Sequence, residues 1–278
     1  MKAIAALQMA SGPQLQANLM EAARLIRDAT AAGAGMVVLP ETFVMMGKDD
    51  AVRVAVAEPL GNGPIQDFLA RKAQQHGVWI VAGTIPICSD EPSRPFATCL
   101  LYNPQGEVVA RYDKIHLFDV TVDGQAGQSK VYNESQSNYP GDQAVVADTP
   151  FGRLGLSVCY DLRFPELYRA LLDQGAEVFV VPSAFTDTTG QAHWEPLLRA
   201  RAIENLCYVI APGQGGYHVN GRTTYGHSMV IDYWGQVRGR LNKGAGMVLL
   251  EPDLKAQQAA RKTFPVLSHR RFAATVNT

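Results

Sequence analysis

The sequence predicts an α/β fold with mixed sheets. Short apolar runs that are typical of buried strands alternate with segments of helical periodicity over almost all of the 278 residues. Some strand-like runs follow one another across short turns, whereas others are separated by a helical segment. This combination favours sheets that contain both parallel and antiparallel neighbours and that are covered by helices.

The first part of the chain supplies these elements in order. KAIAALQM is the first predicted strand, and the following helix has apolar residues from Leu15 to Ile26, with Gly33 marking its end. GMVVLPET is a second buried strand, which stops at Pro40. GPIQDFLARKAQQHG predicts a helix that Gly77 closes, and VWIVAGTI predicts the next strand.

The remaining chain continues the pattern. ATCLLYN and VVARYDKIHL are strands joined by the turn NPQG, and AVVADT and RLGLSVCY flank the turn PFG. A helix begins at Pro165, followed by the strand EVFVVPSAF, the helix around HWEPLLRARAIENL, the strand CYVIAPG, the hairpin HSMVIDYWGQVRGRL, the strand GMVLLEPDL and a short final helix. The polar stretch from Val122 to Asp142 is predicted to be a long ordered loop over the functional site.

Composition and charge indicate an ordinary globular protein. Hydrophobic residues make up 47% of the chain, charged residues make up 18%, and the formal net charge is -1. This balance gives no electrostatic reason to expect nucleic acid or an anionic membrane as a partner. The sequence has neither a run of membrane-span length nor a secretory pattern, so we expect a cytoplasmic protein. Without a linker, residues 1–278 are expected to form a single domain.

One of the four cysteines stands out from the others. Cys88, Cys99, Cys159 and Cys207 are widely separated and form no C-x-x-C pair, which argues against a zinc site and against a disulfide framework. Cys99 and Cys207 lie in strand-like runs, where a free cysteine usually behaves as a small buried hydrophobe. Cys159 is the candidate for chemistry because of its local context.

Cys159 lies between a strand and a helix. In GRLGLSVCYDLRFPELYRALLDQGA, a buried strand leads into this cysteine, and a helix begins shortly afterwards at Pro165. A nucleophile on such a turn projects from the sheet near free backbone N–H groups, which can stabilise a developing oxyanion. A buried structural cysteine is the alternative interpretation.

Two charged residues also end predicted strands. Glu41 follows MVVLP, at the carboxyl end of a buried strand, where α/β sheets place their ligands and where a carboxylate suits proton transfer. Lys114 ends VVARYDK. Alone, Glu41 could be a loop cap and Lys114 a solvated surface charge. Together with Cys159, however, three strand ends supply a carboxylate, an ammonium group and a thiol.

The segments GMVVLPETF, YDKIHLFD and SVCYDLRFPELYR resemble, in order and in spacing, the three catalytic motifs of the nitrilase superfamily of carbon–nitrogen hydrolases. The resemblance extends from AALQMASGP to PVLSHRR, essentially the whole chain. It implies a four-layer α-β-β-α sandwich that forms a homodimer or a higher even homo-oligomer. It also implies that a C-terminal tail, about residues 262–278, packs on a partner subunit.

The resemblance implies a role for each motif residue. Cys159 is the nucleophile, Glu41 is the general base and acid, and Lys114 is the cation that holds the oxyanion. The motif YNES places Glu134 at the superfamily's second glutamate, which orients the lysine and the substrate. The backbone N–H of Tyr160 is the expected second oxyanion donor. The thiol attacks an amide carbonyl and water hydrolyses the resulting thioester, so no metal and no cofactor is expected.

The resemblance also restricts the substrate, which is expected to be a small-molecule linear amide. PSAFTDTTGQAHWEPLLRARAIENLCYVIAPGQ and TTYGHSMVIDYWG are most similar to the nitrilase-like amidases that repair deaminated glutathione. Omega-amidases acting on 2-oxoglutaramate or 2-oxosuccinamate share several of these elements and are the alternative. The segment TVDGQAGQSKVY differs from the family's shorter Pro-Gly stretch, so we expect it to influence substrate preference.

Deaminated glutathione carries carboxylates and a 2-oxo group, so we expect cationic or polar groups in the pocket. The candidates for substrate contact are Arg163, Phe185, Arg199, Arg201 and Arg222. Each arginine has a structural alternative, such as a salt bridge or a solvated loop position. The histidines His116, His193 and His227 are expected to make supporting hydrogen bonds rather than to form a Cys–His pair.

Two interpretations outside amide hydrolysis are also considered. One is a non-catalytic scaffold that binds a metabolite or a protein, but such a scaffold has no need of Glu41, Lys114 and Cys159 together. The other is a redox-sensing thiol, which lacks a nearby resolving cysteine in the sequence. The sequence therefore favours a cysteine-nucleophile amidase.

Overall fold

The computed structural model describes residues 3–48, 51–123 and 129–272, with the backbone alone at residue 123. Its strands are β1 (Ala3–Gln8), β2 (Ala34–Val38), β3 (Trp79–Val81), β4 (Ile85–Ile87), β5 (Phe96–Tyr102), β6 (Val108–Asp113), β7 (Asp119–Asp123), β8 (Ser129–Asn133), β9 (Val146–Thr149), β10 (Gly152–Leu156), β11 (Val178–Val180), β12 (Tyr208–Ala211), β13 (Met229–Ile231), β14 (Val237–Arg240) and β15 (Gly246–Leu250). Its α-helices are α1 (Leu15–Ala31), α2 (Ala51–Ala55), α3 (Pro64–His76), α4 (Pro165–Asp173), α5 (Asp187–Asn205) and α6 (Leu254–Thr263). Short 3₁₀ helices span Glu134–Gln136 and Cys159–Arg163.

Two large sheets and one hairpin organise the described strands. The first sheet has the order β15-β1-β2-β3-β5-β4, with β6 also paired to β5, and the second has the order β14-β13-β12-β11-β10-β9. The central strands β1, β2 and β3 are parallel, as are β10, β11 and β12. Their outer neighbours are antiparallel. Strands β7 and β8 form a separate antiparallel hairpin.

The side chains of β1 alternate between two apolar cores. Ile4 and Ala6 belong to a core shared with the second sheet, whereas Ala5 and Leu7 pack with side chains of α1 and α3. On the other side of the molecule, α4 and α5 contact β10 and β12. The order of layers is therefore helices, sheet, sheet and helices, which confirms the predicted four-layer α-β-β-α sandwich.

Helix α1 is an example of how the outer layers are held. Its buried residues Leu19, Ala22, Ile26 and Ala29 recur at spacings of three and four, so they lie on one face of the helix. Burial of a leucine or isoleucine side chain contributes about 1.5–3 kcal/mol. Two residues after the end of this helix, the chain turns at Gly33, which has a φ of 95°.

The predicted strand VWIVAGTI is confirmed only in part, because strand β3 ends at Val81 and the last residue of the segment, Ile85, already begins the next strand, β4. Gly83 between them has a φ of 55°, a backbone conformation that favours glycine. A Cβ atom at this position would collide with the carbonyl group of Pro40. The backbone at Gly83 therefore lies close to the backbone at Pro40, just before Glu41. Apolar periodicity alone does not predict such a close contact between two segments.

The predicted loop from Val122 to Asp142 is also wrong in part. Its described residues include the β8 strand and the 3₁₀ helix at Glu134, whereas residues 124–128 lie outside the described residues. Strand β8 buries little, since Val131 is 61% exposed, and this explains why the apolar pattern did not predict it. The segment nevertheless borders the cavity described below, as the sequence predicts.

The C-terminal tail continues from α6. Arg270 forms an ion pair with Asp173 at the end of α4, with a nitrogen–oxygen distance of 2.6 Å. Residues 273–278, which complete the predicted tail, lie outside the described residues. Packing on a partner subunit therefore stays a prediction. Within the described ranges, no helix combines the length and the apolar character that crossing a membrane requires.

Candidate active site

Three strand ends converge on one cavity. Glu41 follows β2, Lys114 follows β6 and Cys159 follows β10, and all three are at least 93% buried. Strands β2 and β10 are central parallel strands in facing sheets, so their carboxyl ends meet at one edge of the sandwich. The three side chains line a cavity of about 190 Å³.

Lys114 is held between two carboxylates. Its Nζ lies 2.8 Å from Glu41 Oε1 and 2.9 and 2.8 Å from the two oxygens of Glu134. Burial lowers the pKa of Lys114, but the negative charges of Glu134 and Glu41 outweigh it and hold this pKa above its ordinary value. The ammonium group therefore stays charged within an almost fully buried site.

Glu41 is fixed through both carboxylate oxygens. Its Oε1 accepts a hydrogen bond from Lys114, and its Oε2 accepts one from the backbone N–H of Ala184 at 2.7 Å. The next residue, Thr42, has a φ of 53°, so the chain turns sharply just after the carboxylate. The N–H of Thr42 donates to the hydroxyl of Thr84 at 2.8 Å, which anchors this turn.

Both carboxylate oxygens of Glu134 accept hydrogen bonds, as those of Glu41 do. Besides Lys114, its Oε2 accepts a hydrogen bond from the N–H of Phe118 at 2.7 Å, and its Oε1 accepts one from Asn138 Nδ2 at 3.0 Å. Burial raises the pKa of Glu134, but Lys114 outweighs burial and lowers this pKa below its ordinary value. Glu134 is therefore a fixed carboxylate that holds Lys114 in place.

Cys159 has the strained backbone that is expected of a nucleophile. Its φ is 48°, it begins a 3₁₀ helix, and its N–H donates to the carbonyl of Pro182 at 2.9 Å. Burial raises the pKa of the Cys159 thiol, and the neighbouring Glu41 carboxylate raises it further, while Lys114 opposes both effects. The free thiol is therefore protonated at neutral pH and needs a base to become a nucleophile.

Asp161 links the nucleophile turn to the lysine strand. Its buried Oδ2 accepts hydrogen bonds from the N–H of Val158 at 2.8 Å and from the hydroxyl of Tyr112 at 2.6 Å. Its Oδ1 lies 3.1 Å from the backbone nitrogen of His116 and 2.7 Å from His116 Nδ1. Because Tyr112 and His116 flank Lys114, one carboxylate fixes the spacing between the segments that carry Lys114 and Cys159.

The backbone N–H of Tyr160 belongs to the first turn of the 3₁₀ helix Cys159–Arg163. N–H groups in the first turn of a helix have no partner within the helix, so they are available to an incoming oxygen. Tyr160 is also one of the residues that line the cavity. This location is compatible with the predicted role as an oxyanion donor, which stays a prediction.

Two of the predicted substrate contacts line the cavity. Phe185 is 94% buried and packs against Trp194, with a ring-centroid distance of 5.0 Å. Arg222 lies against the ring of Tyr132 at 5.7 Å and donates from Nη2 to the carbonyl of Ala184. The sequence therefore identified one apolar and one cationic member of the cavity lining.

The other predicted arginines are held elsewhere by protein partners. Arg163 lies over the Phe185 ring at 5.3 Å and contacts His193 Nδ1 at 3.2 Å, so it supports the cavity wall from behind. Arg199 donates to the carbonyl of Gly235 at 2.9 Å on the outer side of α5. The buried Arg201 donates to the carbonyl of Leu162 at 3.1 and 2.8 Å. None of the three is among the residues that line the described cavity.

The histidines make the supporting hydrogen bonds that the sequence predicts. His116 contacts Asp161, His193 contacts Arg163, and His227 Nδ1 lies 2.7 Å from the carbonyl oxygen of Tyr225. As for metals, no group of three or more His, Cys, Asp or Glu side chains in the described part of the chain is arranged to hold an ion.

Several residues that line the cavity or contact its lining were not predicted from the sequence. Asn138 follows Glu134 by four residues, a spacing that could have indicated their hydrogen bond. Arg53 on the short helix α2 lines the cavity and donates to Ser137 at 3.1 Å, but no motif distinguishes it. Phe118, just before β7, and Tyr132, on β8, also line the cavity, and only Tyr132 lies within the segment that the sequence predicts to be a loop. Their placement depends on tertiary packing rather than on local pattern.

Comparison with known proteins agrees with this geometry. The family model "Carbon-nitrogen hydrolase" matches residues 3–262. A deaminated glutathione amidase from Yersinia enterocolitica is 42% identical over 274 residues, which cover 98% of this chain and 94% of that protein.

Solved structures of related proteins superpose on almost the whole chain. The Caenorhabditis elegans NitFhit protein has a TM-score of 0.91 and 38% identity, and the match covers 99% of this chain and 67% of that one. A mutant amidase from Nesterenkonia sp. AN1, with acrylamide added at its active-site cysteine, has a TM-score of 0.78 and 27% identity over 95% of this chain and 98% of that one. The chain therefore belongs to the carbon–nitrogen hydrolase family.

Proposed function

We propose that this protein is an amidase that hydrolyses deaminated glutathione through a thioester on Cys159. The observation that carries the proposal is the buried Lys114, which lies within 2.9 Å of both Glu41 and Glu134 at the cavity that Cys159 lines. A charged group buried at this depth is costly to retain unless its partners compensate it, and such groups cluster at functional sites.

The first step follows from the protonated thiol. Since burial and Glu41 raise the pKa of Cys159, the sulfur attacks as its proton passes to the Glu41 carboxylate. The carbonyl oxygen of the amide becomes negative as the sulfur–carbon bond forms. Lys114 and the N–H of Tyr160 stabilise that oxygen, and removal of one such donor typically costs a factor of about 10²–10³ in kcat.

The second step returns the proton. The tetrahedral intermediate collapses, the carbon–nitrogen bond breaks, and Glu41 protonates the departing amine. A thioester with Cys159 remains. Glu41 then takes a proton from water as the water attacks the thioester. The carbon–sulfur bond breaks, the carboxylic acid leaves, and Glu41 returns the proton to the Cys159 sulfur. Glu134 takes no proton in this scheme, because Lys114 keeps its pKa low and its oxygens are already occupied.

The substrate assignment rests on the relatives together with the cavity. The similar Yersinia enterocolitica protein is a deaminated glutathione amidase. Deaminated glutathione is an anion, and Arg222 supplies positive charge at the cavity without a carboxylate partner in the described residues. The cytoplasmic location and the homodimer stay predictions of the sequence.

The experiment compares three amides with purified protein. Hydrolysis of deaminated glutathione and of 2-oxoglutaramate both release 2-oxoglutarate, which a coupled dehydrogenase assay detects, whereas only 2-oxoglutaramate releases ammonia as well. Glutamine serves as the amide without a 2-oxo group. We expect the highest kcat/KM for deaminated glutathione and a loss of at least about 10⁴-fold in Cys159→Ala, in which the nucleophile is absent.

Two outcomes would contradict this proposal in different ways. A higher kcat/KM for 2-oxoglutaramate would make the enzyme an omega-amidase with the same catalytic residues. Hydrolysis that survives in Cys159→Ala would remove the nucleophile assignment. A Cys88→Ser variant is the matched control, because Cys88 is an exposed cysteine outside the cavity lining.

A further inference from the structure

Two cations lie against one aromatic ring at the rim of the cavity. Lys130 on β8 places its Nζ 5.6 Å from the centroid of the Tyr132 ring, and the guanidinium carbon of Arg222 lies 5.7 Å from the same centroid. Neither cation forms an ion pair with a carboxylate in the part of the chain that the structure describes. Two positive charges therefore share one ring without a negative partner.

Arg222 retains hydrogen-bonding capacity. Its Nη2 donates to the carbonyl of Ala184, but its Nε is buried and has no hydrogen-bond partner among the described residues. A buried donor without a partner costs about 1–3 kcal/mol, so such a group in a native site usually has a partner in the functional state. Nη2 of the guanidinium group is thus fixed by a hydrogen bond, whereas Nε has no acceptor among the described residues.

The electrostatics of the rim agree with this geometry. Burial lowers the pKa of Lys130, and the positive charge of Arg222 lowers it further. Burial also lowers the pKa of the nearby His218, and the positive charge of Arg222 lowers it further. An anion between Lys130 and Arg222 would relieve this repulsion between the two positive charges.

The rim is close to the reacting centre. Tyr132 and Arg222 line the same cavity as Cys159. The Tyr132 ring lies 5.2 Å from Phe118, which lies 5.0 Å from Tyr160, the residue after the nucleophile. On the other wall, Ala184 accepts from Arg222 through its carbonyl and donates to Glu41 through its N–H. A small molecule can therefore reach from the nucleophile to the two cations.

We propose that Lys130, Tyr132 and Arg222 form a carboxylate subsite that selects amides with a negative charge a few bonds from the carbonyl that reacts. The two cations bind the carboxylate, while the Tyr132 ring holds them in position. This inference rests on the proposed amidase function and gives its substrate class.

The test compares a charged and an uncharged amide of equal length. Glutaramate has one amide and one carboxylate, whereas glutaramide has two amides and no charge. We expect the ratio of kcat/KM for glutaramate to that for glutaramide to fall by about 30-fold in Arg222→Met, which removes a charge-assisted hydrogen bond. In Lys130→Met the ratio is expected to fall by about threefold, because this lysine is more exposed.

The matched control is Lys72→Met. Lys72 also lies over an aromatic ring, 5.9 Å from Phe68, but on helix α3 away from the cavity, so this variant removes the same charge with the same kind of contact. We expect its ratio to equal that of the wild type. Lys130→Arg keeps the positive charge, so its ratio should stay at the wild-type value. Added salt should reduce the preference of the wild type for glutaramate.

The outcomes separate the subsite from the proposed function. An unchanged ratio in both Arg222→Met and Lys130→Met, in an enzyme that hydrolyses amides, would overturn the subsite alone. A wild type without amidase activity would overturn the function first. Parallel losses for deaminated glutathione and 2-oxoglutaramate would assign the subsite to the 2-oxo acid carboxylate. A loss confined to deaminated glutathione would assign it to the terminal glycine carboxylate.

Discussion

The floor and the rim of the cavity differ in how their charges are satisfied. The catalytic floor, formed by Glu41, Lys114, Glu134 and Cys159, is buried, and its charged groups are paired with one another or with backbone N–H groups. The rim, formed by Lys130, Tyr132 and Arg222, carries two positive charges and no carboxylate partner among the described residues. The floor is therefore complete in the free protein, whereas the rim is completed by an anion.

This difference follows from the elements that carry the two regions. Three of the four floor residues follow strands of the two large sheets, whose ladders and cores fix the backbone. Two of the three rim residues lie on β8, which belongs to a two-stranded hairpin, and Arg222 lies on a loop. A rigid floor suits chemistry that tolerates little displacement, and a less anchored rim suits adjustment of specificity.

The largest difference between floor and rim is expected when the same substitution, lysine to methionine, is made at Lys114 and at Lys130. Lys114→Met leaves two buried carboxylates without their cation and removes the oxyanion partner, so we expect kcat to fall by about 10³-fold. The same change should lower the free energy of unfolding by about 3–5 kcal/mol. Lys130→Met should instead act on the kcat/KM of charged amides. Steady-state kinetics measure kcat and kcat/KM of the two variants, and urea unfolding measures their free energies of unfolding.

A second result would remove the distinction between floor and rim. If Lys130→Met lowered the free energy of unfolding as much as Lys114→Met, the hairpin would be part of the structural core. If Lys114→Met kept its kcat, the oxyanion role would belong to backbone donors alone.

A smaller effect is expected for Glu134, which supports the lysine but transfers no proton. Glu134→Gln keeps the side-chain size but removes a charge that holds Lys114, so kcat should fall by about 10²-fold. Because Lys114 lowers the pKa of Glu134, this carboxylate adds stability above its ordinary pKa of 4.5, and that stability is lost as the pH falls through the lower value in the folded protein.

The pH dependence supplies the check. The difference in free energy of unfolding between wild type and Glu134→Gln should be largest at neutral pH and should shrink below pH 4.5. Urea titrations at several pH values measure it. A difference that grows on acidification would mean that the pKa of Glu134 in the folded protein lies above its ordinary value of 4.5.

The floor could be predicted from the sequence because Glu41, Lys114 and Cys159 each follow a predicted strand and together match the three motifs of one family. The runs before Glu41 and Cys159 are mostly apolar and largely buried, and such runs become central parallel strands whose ends share one edge. The motif resemblance added the roles and Glu134. What the sequence could not provide is the pairing geometry, since the Lys114–Glu134 contact depends on the tertiary path of the hairpin region.

The rim was harder to predict for the same physical reason. Strand β8 has mostly exposed side chains, so alternation of apolar and polar residues is weak there, and Tyr132 was not identified. Arg222 was identified among several arginines only by its charge. Arg199 and Arg201 carry the same charge, but the helix α5 directs them to Gly235 and Leu162 instead.

A tenfold effect on kcat is expected for Asp161, whose carboxylate links the segments that carry Lys114 and Cys159. Asp161→Asn keeps the shape of the side chain but weakens the charge-assisted hydrogen bonds to Tyr112 and to the N–H of Val158. The spacing of Lys114 and Cys159 should loosen, so kcat should fall by about tenfold while KM changes little. A reduced rate of Cys159 alkylation by iodoacetamide in the folded variant distinguishes loss of positioning from general destabilisation. An unchanged kcat would show that Asp161 has a structural role only.

The smallest effect is expected for Arg199, the arginine that sequence reasoning placed among the substrate contacts and the fold places outside the cavity. Its side chain is 49% exposed and donates to the carbonyl of Gly235, so Arg199→Ala should change the free energy of unfolding by no more than about 0.5 kcal/mol. KM for a charged amide should stay within about twofold of the wild type, because the guanidinium group is not part of the cavity lining. Arg222→Ala, measured in parallel, should raise KM for the same amide, since it removes the cation that lies on the rim. A KM increase in Arg199→Ala of the size found in Arg222→Ala would mean that positive charge anywhere on this side of the protein attracts the substrate, and the rim would lose its special role.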